Sequence, residues 1–273
     1  MRAERIKYPM GALTAEGALI YDENVLGRRP AVLVAPNWMG MTDKAIQRGE
    51  LVAGNRYVVF VADMYGAGTR PADFGEAAAL ANPLRADAIE QRKRVKAAFE
   101  TMIAQAKARN LIDGRRAAIG FCFGGGNVLE LARDGADLAA AVSIHGDLKT
   151  ALPAEKGRVK AALLVAHGAP DPVAPKADRD AFEAEMNAAG TKWQMVVFSG
   201  ILHAYTDQGA DAPWNCRMGR TGHATDLRAH PSIPGRCLRR TTVSCGPTVE
   251  FPAKRAKRTL FRWLTVSPRR RGR

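Results

Sequence analysis

The sequence predicts an α/β protein with a mostly parallel central sheet, helices on both faces and an antiparallel hairpin at the N-terminus. Three observations predict it. Short, unbroken apolar runs recur along the first 216 residues, each bounded by Gly, Pro, Asp or a charged residue, as suits strands covered on both faces. Segments with a helical apolar period lie between them. The two kinds of segment alternate, which is the pattern of strand–helix–strand crossovers.

The elements follow in chain order. Residues 6–10 and 17–21 form the hairpin. Strands are expected over 31–35, 57–62, 117–121, 139–144, 161–166 and 194–198. A helix over 43–54 has Thr42 as its N-cap. A long amphipathic helix over 86–110 carries Ile89, Val95, Phe99, Met102 and Ile103 roughly on one face. Helices over 124–133 and 176–189 follow, the second stopped by Gly190.

A chain of 273 residues, 47% hydrophobic and 25% charged, can bury a sizeable core. No apolar run reaches the length of a membrane span, and residues 1–13 lack the apolar core of a signal peptide. Cysteines at 122, 216, 237 and 245 are too few for a disulfide scaffold. A reducing, cytoplasmic location is therefore expected, with any functional cysteine a thiol.

Charge divides the chain. Residues 217–273 hold 15 Lys/Arg against 2 Asp/Glu, which leaves 26 against 25 in the first 216. The reading is one domain over 1–216 and a basic, Arg-rich tail over 217–273. The tail is read as a reading-frame disruption near residue 217, because Arg-rich sequence sprinkled with Pro and Cys and lacking periodicity is what out-of-frame GC-rich DNA encodes. A disordered basic extension and a nucleic-acid or membrane-surface arm are the competing readings.

The strongest motif is Gly120-Phe121-Cys122-Phe123-Gly124-Gly125-Gly126. It follows an apolar strand and opens a helix. A nucleophile on a sharp strand-to-helix turn needs small neighbours, and Gly120 and Gly124 supply them two residues either side of the cysteine. The helix N-terminus then directs its positive end at the sulfur and favours the thiolate.

A nucleophile of this kind needs a base and an orienting acid, in the chain order nucleophile, acid, histidine, at the carboxyl ends of strands. Asp171 follows the strand over 161–166, and His203 follows the strand over 194–198. His167 is a rival base. His145, which closes the strand after the elbow, is read as pocket lining, with a structural role as the alternative. The oxyanion donors are expected to be the backbone amides of Phe123, next to the nucleophile, and of Trp38 in Pro36-Asn37-Trp38-Met39-Gly40. Asn37, Met39, His145 and Tyr205 complete the expected substrate-binding set.

These residues resemble the dienelactone hydrolase family of α/β-hydrolases. The resemblance rests on Val32-Leu33-Val34-Ala35-Pro36 with Trp38 and Gly40, Ala62-Asp63-Met64-Tyr65-Gly66, the cysteine elbow, His167-Gly168 with Asp171, and His203-Ala204-Tyr205. It implies an α/β-hydrolase core and a hydrolase of small esters or lactones with Cys122 as nucleophile, His203 as base and Asp171 as acid. No cofactor or metal is implied. The expected partner is a small ester or lactone, with no membrane and no nucleic acid, and the protein a monomer or homodimer. Two departures stand out. Asn37 occupies the place of the family glutamate that interacts with the resting thiol. Thr206 and Asp207 stand where the family has a substrate-binding arginine after the histidine, and Arg85 is an unaligned substitute for another. The alternatives are a non-catalytic thiol or redox sensor built on Cys122 and nucleic-acid binding through the tail.

Overall fold

The structure is a computed structural model and describes residues 1–207. The basic tail and the cysteines at 216, 237 and 245 lie outside the described residues. Eight strands form one sheet in the order β1-β2-β4-β3-β5-β6-β7-β8. β1 (Arg2–Met10) and β2 (Leu13–Tyr21) make the antiparallel hairpin, and β2 joins β4 (Val58–Val61) antiparallel. β3 (Arg29–Ala35), β5 (Ile112–Phe121), β6 (Ala140–Ile144), β7 (Ala162–Gly168) and β8 (Trp193–Phe198) continue it in parallel from β4.

Side chains alternate between the two faces with the period of a strand. Leu33 and Phe60 join one core, and Val32, Val34, Val59 and Val61 the other. Helix α1 (Asp43–Ala53) packs Ala45 and Ala53 into the second core. Residues of α2 (Phe74–Ala86), α3 (Ala88–Ala108), α4 (Phe123–Arg133) and α5 (Lys176–Ala188) pack into the first. Every residue of α4 is buried. At its far end Arg133 pairs with Glu130 and Glu185, and Glu130 also takes Arg92 at 2.7 Å. These pairs tie α3, α4 and α5 together beneath the sheet.

The long helix expected over 86–110 is α3, and a further helix, α2, directly precedes it. Asp87 divides the two: its carboxylate accepts from the Glu90 amide at 2.9 Å and caps α3, while its own N–H closes α2 on the carbonyls of Pro83 and Leu84. Helix α2 escaped the sequence reading because Pro83 sits inside it and its alanines show little apolar contrast. The hairpin strands are longer than expected, since the outer residues of β1 are polar and exposed. β5 begins five residues earlier than expected, in the charged stretch holding Asp113, Arg115 and Arg116.

The connections position the site. β3 leads outward to β4 through α1, whereas β5 leads the other way to β6 through α4. The crevice between the carboxyl ends of β3 and β5 is thus the switch point at which open α/β sheets bind ligands. Phe60 anchors the sheet behind it, fully buried with its ring edge-on to Tyr8 at 5.7 Å. Phe60→Ala should cost about 3–5 kcal/mol, through lost burial and the cavity left behind, as read from urea unfolding midpoints at constant slope.

Candidate active site

Cys122 sits between the last residue of β5 and the first of α4, with φ 53° and ψ −124°. That left-handed backbone is unfavourable for a side-chain-bearing residue. Close packing enforces it. A Cβ at Gly120 would collide with the Gly124 carbonyl, and one at Gly124 with the carbonyls of Ala35 and Pro36. The turn is pinned from below as well, because the Cys122 N–H donates to Ile144 O at 3.0 Å and shares its proton with His145 Nδ1 at 3.2 Å.

Two further loops close on the sulfur. The loop after β7 buries Asp171, whose Oδ1 accepts from the Val173 amide at 2.8 Å. Its Oδ2 meets His203 Nδ1 at 3.0 Å, and His203 Nε2 lies 3.1 Å from Cys122 Sγ. Residues 32 and 81 positions apart in sequence thus form one chain of contacts. His167, the rival base, is fully buried with Nδ1 3.7 Å from Asp171 Oδ2, behind the acid rather than beside the sulfur.

The electrostatics follow from burial and charge. Burial alone would pull the protonated form of His203 down, but the hydrogen bonds to Asp171 and Cys122 and their charges outweigh it and raise its pKa to about 10. Burial likewise works against the Asp171 carboxylate, yet His167 and His203 together hold it well below the usual carboxylate range. The raised His203 value favours the imidazolium, whose two N–H groups would point toward Asp171 and the sulfur.

The loop after β3 carries Trp38, half-buried, with its indole stacked on Phe74 at 5.6 Å. Tyr65 donates to the Trp38 carbonyl at 2.8 Å and stacks on Phe123 at 5.9 Å, so one side chain steadies both expected oxyanion residues. Phe123 opens α4, and the first N–H groups of a helix have no acceptor within it. Arg85 lies over the Phe123 ring at 5.3 Å and the Trp38 ring at 5.9 Å, with its Nε on Asp147 at 2.8 Å. It places a cation beside the crevice.

Bonding and burial distinguish the remaining expected site residues. Asn37 is committed at both ends: its amide donates to Asp207 Oδ2 at 3.1 Å and its oxygen accepts from the Met39 N–H at 3.1 Å. Met39 itself is half-buried. His145 and Tyr205, expected to line the pocket, are buried beneath it. Tyr205 hangs the histidine loop from the Ala166 carbonyl at 3.2 Å and faces His145 edge-on. His145 has no exposed surface and uses both ring nitrogens internally. The sequence reading missed Asp147, Arg48, Thr206 and Asp207 as participants, and quoted Tyr65 only as part of a motif. None of these carries a local signature, since each acts on a partner distant in the chain.

Among the described residues, no group of three or more His, Cys, Asp or Glu is placed to hold a metal ion, and no helix is long and apolar enough to cross a membrane.

The model of the dienelactone hydrolase family matches residues 16–225. The solved structure m3DLH is 36% identical with a TM-score of 0.72, covering 77% of this chain and 87% of its own. P91, a dienelactone hydrolase-like promiscuous phosphotriesterase from metagenomic libraries, is 32% identical with a TM-score of 0.72, covering 79% and 90%. The dienelactone hydrolase of Anabaena variabilis ATCC 29413 shares the fold at 17% identity, with a TM-score of 0.57 over 77% and 91%. No curated protein matches the chain.

The raised value of His203 fixes the sign of a pH effect. Its folded pKa, about 10, exceeds the ordinary 6.5, so the stabilisation it contributes is complete below 6.5 and is lost as pH rises through 10. An NMR titration of the His203 ring should show a midpoint near 10. In Asp171→Asn that midpoint should fall by about 1–3 units, because the carboxylate no longer favours the cation.

Proposed function

Since this chain belongs to the dienelactone hydrolase family, we propose that it hydrolyses small carboxylic esters or lactones through Cys122, His203 and Asp171, by way of a thioester on the cysteine. The observation that carries the reading is the unbroken contact chain from Asp171 Oδ2 through His203 to Cys122 Sγ, at 3.0 and 3.1 Å. An inert buried cysteine needs neither the imidazolium nor the strained turn.

The steps balance as follows. The Cys122 thiolate adds to the substrate carbonyl, forming a C–S bond and moving the carbonyl electron pair onto oxygen. That oxyanion faces the backbone N–H groups of Trp38 and Phe123. As the C–O bond to the leaving group breaks, the Nε2 proton of His203 passes to the departing oxygen. Neutral His203 then takes a proton from water as it adds to the thioester. Collapse of the second tetrahedral species expels the sulfur and returns the acid product. Asp171 keeps the ring oriented and stabilises its charge throughout.

Trp38 and Phe74 give the crevice an aromatic wall, and Arg85 adds a cation along it. This favours planar or conjugated acyl groups. Asp207 lies where the family pattern has an arginine, and its carboxylate is bound to Arg48 at 2.9 Å and to Asn37. Dienelactone itself, which relies on that arginine, is therefore a weaker candidate than a related ester or lactone. Triester hydrolysis at phosphorus is a second reading, favoured by the 32% identity to P91: the Cys122 thiolate would attack phosphorus and expel the aryl oxide, the same donors would meet the phosphoryl oxygen, and water would then cleave the P–S bond and return the thiolate.

A panel of aryl esters, lactones and an aryl dialkyl phosphate tests both readings. Turnover of a carbon ester or lactone should be seen, with Cys122→Ala lowering kcat/KM about 10³-fold or more. A rapid release of alcohol and an acyl mass increment on Cys122 should precede steady state. Undiminished turnover by Cys122→Ala would remove the assignment, and turnover of the triester alone would select the second reading.

A further inference from the structure

We propose that His145 is a positioning residue that holds the nucleophile turn and the base-bearing loop at reacting distance. The proposal rests on the site reading given above, and it assigns His145 a task distinct from lining a pocket or contacting substrate.

The geometry is specific. His145 is the first residue after β6, fully buried, with φ 40° in the left-handed region. Its ring enters between two loops that share no backbone hydrogen bond with each other in the described set. On one side Nδ1 lies 3.2 Å from the Cys122 nitrogen. A backbone N–H can only donate, so Nδ1 is the acceptor and the ring proton sits on Nε2. On the other side that Nε2–H donates to Thr206 Oγ1 at 2.8 Å, three residues after His203. The ring face and edge are occupied too, by His203 at 5.0 Å and Tyr205 at 5.1 Å.

One neutral imidazole therefore bridges the backbone that carries the sulfur and the segment that carries the base. The tautomer is forced, so the bridge reads in one direction only: elbow N–H to Nδ1, then Nε2–H to the threonine hydroxyl. The left-handed backbone at His145 is what aims the ring there. His145 has no exposed surface from which to meet a substrate, so it acts through Cys122 and His203. Loss of the bridge should loosen the Sγ–Nε2 approach, and small misplacements of reacting groups are costly in rate.

The Thr206 arm can be cut without touching the ring. Thr206→Val is near-isosteric and removes only the hydroxyl, and Thr206→Ser restores it. Asn tolerates the left-handed backbone at 145 and offers an oxygen at the Nδ1 position, so His145→Asn keeps the elbow contact and severs the Thr206 arm. Thr206→Val and His145→Asn should each lower kcat about tenfold with KM little changed. Each should also slow alkylation of Cys122 by iodoacetamide, and Thr206→Ser should recover both. Unfolding midpoints and active-site titration correct every rate for folded protein. Wild-type kcat and alkylation rates in Thr206→Val and His145→Asn would overturn the proposal, as would losses that vanish after that correction. If instead Cys122→Ala retains activity, the site reading fails and not the bridge, because the alkylation arm still reports the geometry around the sulfur.

Discussion

The approach of α4 to the carboxyl ends of β3 and β5 is the contact on which the site depends. At Gly124 the helix backbone lies so close to the Ala35 and Pro36 carbonyls that no Cβ fits, and at Gly120 the strand lies equally close to the helix. With both flanks compressed, the residue between them has no room for an ordinary strand or helix conformation and is driven to φ 53°. The sulfur is then held at the bend, nearly buried at the margin of the first core and within reach of His203. The cost of the strained turn, about 1–3 kcal/mol, is carried by a thoroughly buried helix and its charged anchor at Arg133, Glu130 and Glu185.

Around that bend the polar groups form two systems, which His145 joins. One is the chain of Asp171, His203 and Cys122, in which a buried carboxylate favours the charged form of the imidazole. The other runs outward from Thr206 and Asp207 to Arg48 and Asn37. It explains the departure at residue 37. A carboxylate there would face the Asp207 carboxylate, whereas the Asn37 amide donates to it. The asparagine at one position and the aspartate at the other are thus mutually compatible, and both loops are drawn onto α1 through Arg48, whose guanidinium also lies 4.4 Å from the Phe121 ring centre.

Much of this was legible in the sequence, for physical reasons. Parallel strands buried on both faces read as continuous apolar runs, and glycines at fixed offsets report a backbone under compression. Asp171 and His203 could be picked out because they stand just past strand ends. Helix α2 was hidden, since Pro83 lies inside it and its alanines give no apolar period, whereas α3 showed its amphipathic face. The true surroundings of Asn37, His145 and Tyr205 were not legible. Their long-range contacts join residues between 23 and 170 positions apart, and no local period encodes which loop closes over which.

The complete enclosure of α4 has its own consequence. A helix with no solvent face offers no site at which sequence can drift freely, and its peptide amides have no route to deuterium short of parting the sheet from the layer beneath it. The segment that opens at the nucleophile is thereby among the slowest-breathing parts of the molecule. Variation is then left to the surrounding loops, such as those that carry Asn37 and Asp207, while the axle on which they turn stays still.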